Sequence, residues 1–282
     1  MDTATATVLE FGSGWEGATE GLKREVPRVV TVDCCEHNLG DKGTVHPELR
    51  RRFEMEGDTI RQGMKQAKVQ AKETAGVWIS MHCKQHSTGN GLPGGTGKFA
   101  GENLTKEEDE AMQAMLSSLN RYVQKDPVNN KYFMENVGYG SFRMDQRVKQ
   151  WFGEGAFKGA REGVVKGCAY GMKHSKPYRR AQRKNHQAAI TCIPPGRYYT
   201  NLTEDEWLPK NSKEHCIFCK TGSKHPEAMI PGRNDTRPRP HLPGYTVDAA
   251  RNRVAPTLAQ AVGKGFMMAY KHRQTKKRKR GQ

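Results

Sequence analysis

Long apolar runs are missing from this sequence. No stretch approaches the eighteen or so apolar residues that a membrane span needs. The N-terminus MDTATATVLEF shows neither the basic head nor the apolar stretch of a secretory leader. No membrane partner is therefore expected. No internal repeat is visible. Cysteine is sparse and odd in number, seven in 282 residues, scattered rather than paired; that excludes a disulfide framework and points to a reducing compartment. Acidic residues are missing where basic ones gather. From Gly163 to Thr203 there are eight Lys or Arg and no Asp or Glu, and the last twelve residues, KHRQTKKRKRGQ, hold seven basic side chains and no acidic one.

What is present in excess is positive charge. The chain carries a formal +17 with a pI near 9.6, and +10 remains when the terminal twelve residues are set aside. A surplus concentrated in one interior segment suggests a surface that faces a polyanion; the alternative is a solvated basic face. The terminal KKRKR fits nuclear import and loose phosphate binding equally well. At 31.7 kDa the chain is long enough for one large domain with a smaller appendage.

Apolar runs at Thr7 to Phe11, Val29 to Val32, Val77 to Ser80 and Tyr132 to Glu135 read as buried strands. Between the last two, Thr105 and Glu108 make a capping box. Behind it Met112, Met115, Leu116, Leu119, Tyr122 and Val123 recur at helical spacing. Strands alternating with helices predict a doubly wound, mostly parallel α/β sheet. Two segments break the rhythm: the glycine-rich 84–104, which reads as a functional loop, and the proline-rich, polar 193–247, which reads as a small irregular module. A final helix is expected from about Thr257 to Lys271. The expected organisation is a catalytic domain over 1–192, the variable module over 193–247, a closing helix within 248–270 that returns to the catalytic domain, and a disordered basic tail over 271–282.

In TVLEFGSGWEGATEGL a strand runs into Gly12, Ser13, Gly14 and Gly17 and then a helix, a pattern that lets backbone amides approach a ligand closely. A second strand ends in Asp33, placed to accept from ribose hydroxyls. Asp58, in EGDTI, is a candidate for an adenine amino group, or a surface carboxylate. Such a pocket suits S-adenosylmethionine as well as a dinucleotide. The stretch GVWISMHCKQHS carries Cys83 out of a buried strand into the polar loop, beside His82, Lys84 and His86, surroundings that favour a thiolate. A lone cysteine is more often an apolar filler.

The order of these pieces resembles the DNA (cytosine-5) methyltransferases. LEFGSGWEGATEGL is similar to that family's first motif, in which an aromatic residue, here Phe11, and glycines hold S-adenosylmethionine. ISMHCKQHS falls at the family's nucleophile loop. Glu135, Asn136 and Val137 match its Glu-Asn-Val tripeptide. CAYGMKHSKPYRRAQR resembles the following motif through Tyr170, Gly171, Pro177, Arg179 and Arg180, and RNRVAPTLAQAVGKGF resembles the closing motif through Asn252, Val254 and Pro256. The resemblance spans residues 8 to 270 and is to a divergent, viral or phage-like branch of that family. It implies catalytic roles for Cys83, Glu135 and Arg180. It implies cofactor contacts for Phe11, Ser13, Gly14, Gly17, Asp33, Asp58, Asn252 and Val254. The implied substrate is a cytosine flipped out of double-stranded DNA, and the implied protein is a monomer in the nucleus, or simply intracellular if viral or prokaryotic.

Four positions in three motifs depart from the family's pattern. His82 replaces a proline before the nucleophile, Tyr178 replaces a glutamine with Gln182 standing where a second arginine is expected, and Glu16 replaces a glycine in the cofactor loop. These departures keep open a second reading, a DNA-binding pseudoenzyme with the fold and pocket but no turnover. An RNA methyltransferase ranks third, because the RNA cytosine enzymes use a second cysteine where this chain has Glu135. In the variable module, Cys216-x2-Cys219 with His225 after five residues fits a structural zinc site, with Cys192 and His215 as further candidates; a thiol pair without metal fits equally well. Cys34, Cys35 and Cys168 read as core residues.

Overall fold

The structure is a computed structural model that describes residues 3–12, 17–33, 50–52, 59–80, 106–137, 146–153, 159–170, 196–221 and 254–280. Its centre is β1 (Thr7–Phe11) and β4 (Thr74–Ser80), whose residues are almost all buried. Burial on both faces is what a parallel strand covered on both sides has, and it explains why TVLEF and GVWIS are mostly apolar rather than alternating. β2 (Arg28–Asp33), β3 (Arg50–Arg52) and β5 (Tyr132–Val137) complete the parallel part. β6 (Arg161–Val165) and β7 (Gly196–Thr200) follow, with β7 antiparallel to both neighbours. The seven strands lie in the order β3-β2-β1-β4-β5-β7-β6. The expected doubly wound, mostly parallel sheet is therefore the observed architecture.

Each face of the sheet has its own core. On one, Leu9, Val77, Ile79, Tyr132, Met134 and Tyr199 meet α2 (Thr59–Gln66), α3 (Lys106–Lys125) and α4 (Gln146–Phe152). Met112, Leu116 and Leu119 of α3 are buried there, with Met115, Tyr122 and Val123 packed at the margin, as the helical spacing predicts. On the other face, Trp78 stacks on Phe133 at 4.6 Å, and Tyr198 and Trp207 close the aromatic group. This face is covered by α1 (Gly17–Leu22) and α7 (Pro256–Arg280), the closing helix.

The two helices pack so closely that a Cβ at Gly21 would overlap the Pro256 carbonyl oxygen. Any larger residue there must push the start of α7 away from α1. The helix that ends the described chain is thus seated against the one that follows its first strand, as the family resemblance implies.

Two expected boundaries move. A division at 192/193 assigns β7 to the variable module, yet β7 lies between β5 and β6 in the sheet. Residues after it also belong to the body. Leu202 and Trp207 are buried, Arg161 donates to the carbonyls of both, and Lys131 forms a 2.9 Å ion pair with Glu206. The second correction concerns the tail. α7 continues to Arg280, where disorder was expected from Lys271 onward because no apolar residue remained to be buried. The stabilising residue is a charged one. Arg273 is buried, and its guanidinium donates to the carbonyls of Thr74 at 2.7 Å, Lys72 at 3.2 Å and Asn129 at 3.4 Å, with its carbon 5.0 Å from the centre of the Tyr270 ring.

Truncation after Lys271 is therefore expected to destabilise the fold rather than leave it unchanged. Arg273→Ala alone should lower stability by roughly 2–3 kcal/mol, the scale of buried hydrogen bonds from a charged donor. Urea unfolding checks this: an unchanged midpoint would show that the three carbonyl contacts contribute nothing.

Candidate functional site

Ligands of open α/β sheets bind beyond the carboxyl ends of the strands, where the chain's direction of winding reverses. Here the chain leaves β1 for β2 and β3 on one side, then returns to β4 and β5 on the other. The reversal falls between β1 and β4, and of the expected site residues Phe11, Asp33 and Glu135 lie in strands that end along that edge.

β1 ends at Phe11, in register with Val32 on one side and Ile79 on the other. The next residue, Gly12, has φ +71°, and a Cβ there would overlap the Ser80 carbonyl oxygen. Glycine is thus required twice, for the left-handed turn and for the close pass over the end of β4. Asp33 ends β2 one position beyond the partner of Phe11, on the same edge. α1 is tied to β1 by Glu10. This fully buried carboxylate accepts a 2.6 Å hydrogen bond from the Thr19 hydroxyl of α1. Sequence reasoning passed over Glu10. Its signal was a lone carboxylate inside an otherwise apolar buried strand, a placement that requires a partner.

The other half of the site forms between β4 and β5. Ser80 pairs in register with Glu135, and Trp78 Nε1 donates to Ser80 Oγ at 3.0 Å. Glu135 lies two residues beyond Phe133, so it shares the sheet face of the stacked Trp78–Phe133 pair. The residue keeps some surface exposure, but its carboxyl is surrounded by protein, and that burial pushes its pKa up to about 7. A carboxyl that holds its proton near neutrality is equipped for general-acid work. Cys83 follows Ser80 by three residues, a chain length of at most about 10 Å.

Of the residues singled out in the sequence, Phe11, Gly17, Asp33 and Glu135 stand along this edge. Val254, half-buried just before α7, packs against the cluster that contains α1. Ser13, Gly14, Asp58, Cys83, Arg180 and Asn252 lie outside the described residues, although Asp58 immediately precedes α2. Among the described residues, this edge holds Gly12, with no room for a side chain, and Asp33 as the last residue of β2.

A second cluster forms where the chain leaves β6, whose last residue, Val165, lies level with Val137 of β5 across Gly196 of β7. Cys216 caps α5 (Ser212–His215), and Cys219 is in α6 (Ile217–Thr221). Their third neighbour is Cys168, in the 3₁₀ turn Gly167–Tyr170. Expected to be core, Cys168 is half-buried instead, with its Sγ 3.7 Å from that of Cys219. His225, the expected third ligand, lies outside the described residues, and exposed His215 is not part of the cluster.

No protein-family model matches the chain, and no curated protein matches it. Among solved structures it is similar to the Dnmt2 methyltransferase of S. pombe, with 11% identity, 81% of this chain and 57% of that one covered, and a TM-score of 0.42. It is also similar to a DNMT2 mutant of Spodoptera frugiperda, with 17% identity, 73% and 53% covered, and a TM-score of 0.38. The methyltransferase EhMeth of Entamoeba histolytica is similar at 12% identity, with 94% and 96% covered and a TM-score of 0.38. The chain spans little more than half the length of the first two.

The mostly parallel sheet, its reversal between β1 and β4 and its antiparallel β7 define a Rossmann-like fold of the methyltransferase type. No helix among the described residues is long and apolar enough to cross a membrane.

Proposed function

We propose that this protein transfers a methyl group from S-adenosylmethionine to C5 of cytosine in double-stranded DNA, acting as a monomer on a base flipped from the duplex. The observation that carries the reading is Glu135. It belongs to a Glu-Asn-Val sequence, it pairs within β5 with Ser80, the last residue of β4, and burial pushes its carboxyl pKa up to about 7. S-adenosylmethionine supplies an electrophilic methyl on sulfonium. Phe11, the Gly12–Gly17 turn, Asp33, Asp58, Asn252 and Val254 are the residues assigned to hold it.

The chain's own residues make the carbon reactive. The Cys83 thiolate adds to C6 of the ring. As the C6–S bond forms, the C5–C6 π pair shifts towards C4 and the C4–N3 pair settles on N3, which takes the proton held by Glu135. C5 becomes an enamine carbon and can attack. Arg180 is assigned to the O2 side of the ring. The pseudoenzyme reading remains the alternative, favoured by His82, Tyr178 and Glu16 at positions where the family has other residues.

The test is tritiated methyl transfer to mixed duplex DNA, with structured RNA as a parallel substrate, followed by nucleoside analysis. Label in 5-methylcytosine from DNA supports the reading. Tight DNA binding without transfer supports the pseudoenzyme, and label only in RNA reassigns the substrate. DNA affinity should also be strongly salt-dependent, because +17 on the chain implies many phosphate contacts. A loss on the order of 10³-fold between about 50 and about 200 mM salt is expected. A flat response in a filter-binding titration would assign the positive charge to another partner.

A further inference from the structure

We propose that Cys168, Cys216 and Cys219 form a zinc site that clamps the root of the variable module to the catalytic body. The three sulfurs lie within 4.8 Å of one another, and Cys168 and Cys219 are 3.7 Å apart. A tetrahedron with zinc–sulfur bonds of about 2.3 Å has an S···S edge of about 3.8 Å. A disulfide requires about 2.05 Å, so the cluster is spaced for a shared cation. Thiolates suit zinc ahead of magnesium or calcium, which take oxygen ligands. The fourth position of the tetrahedron remains for a donor beyond these three.

The surroundings explain why such a clamp is useful. α5 and α6 are four and five residues long, and most of residues 211–221 with described side chains are exposed. Helices this short have little stability of their own, and a small segment without an apolar core commonly depends on a metal.

Cys168 ties the cluster to the body through its neighbour Tyr170. The Tyr170 hydroxyl accepts from the Lys210 amide at 2.9 Å, and its carbonyl accepts from the Thr257 hydroxyl at the start of α7. Segment 171–195, which contains Arg180, leaves the 3₁₀ turn directly after Tyr170. Segment 222–253 leaves α6 directly after Thr221. A metal at this point fixes the origins of both segments against each other, whether or not the protein transfers methyl groups.

The full chain, purified under reductant without chelator, should carry stoichiometric zinc by plasma mass spectrometry. Cys168→Ser and Cys219→Ser should each lose it on desalting, while Cys34→Ser keeps it. Exchange of zinc for cobalt in the unmutated chain should give the visible bands of a tetrahedral thiolate site, a readout that does not depend on the variants folding. A metal-free protein that shows no thiolate–cobalt bands overturns the proposal. So does full zinc retention by Cys168→Ser, or a Cys168–Cys219 disulfide in the reduced preparation.

Discussion

Glu135→Gln is expected to abolish most methyl transfer while making the protein more stable at alkaline pH. The carboxyl has a pKa near 7 in the fold against 4.5 when unperturbed, because burial penalises its charged form. Between those values the folded chain holds a proton that the unfolded chain has released, so stability falls as pH rises through this window. Above about pH 7 the full cost of a buried carboxylate is present, about 3 kcal/mol from the size of the shift. Glutamine has nearly the same shape and never ionises. The variant's advantage should therefore be small near pH 4.5 and complete above pH 7. Transfer should drop by about 10²–10⁴-fold, the usual contribution of a positioned acid. In the unmutated protein, the rate should decline as pH passes 7 and the proton needed at N3 is lost. Urea melts of both proteins at pH 5 and pH 8.5 check the first part. A stability difference that does not change between those two values would refute the buried, proton-holding carboxyl.

Cys83→Ser should remove covalent chemistry and leave cofactor binding nearly intact. A serine hydroxyl is not ionised near neutral pH and is far less nucleophilic than a thiolate. Transfer should fall on the order of 10⁴-fold or more, since a missing nucleophile disables the steps that depend on it. Duplex DNA carrying 5-fluorocytosine should trap the unmutated protein, because fluorine cannot leave C5 as a proton does, and the adduct should be absent with serine. Cofactor affinity should change by less than about twofold, because none of the residues assigned to the cofactor belongs to the loop after β4. Equal transfer by both proteins would remove Cys83 from the mechanism and leave Glu135 without a nucleophile to assist.

The strands that build the site were legible because most of their described residues are buried. β1, β2, β4 and β5 are parallel strands of a covered sheet, and their apolar runs end where the chain leaves the core. α3 was legible because a helix buried on one side repeats its apolar residues at 3.6-residue spacing. Phe11 and Asp33 are the last residues of β1 and β2, and Glu135 lies near the end of β5, so their places followed from reading those strands. β6, REGVV, and β7, GRYYT, carried no such pattern. Short and partly polar, they are strands because each pairs with the other, and β7 also with β5; pairings across dozens of residues leave no local trace.

The same reason covers the corrections. A basic tail without apolar residues offers no local reason to fold, and its helix depends on Arg273 finding carbonyls about 200 and 144 positions away in sequence. Cys168 read as core because nothing near it in the chain suggests a partner, while Cys219, 51 residues on, lies 3.7 Å from it in space. Local sequence determined which segments are buried and which residue types stand at their ends, because burial and turn chemistry act over a few residues. Which of those ends meet, as Ser80 meets Glu135, was decided by the register of the sheet, and register exists only once strands distant in the chain have paired.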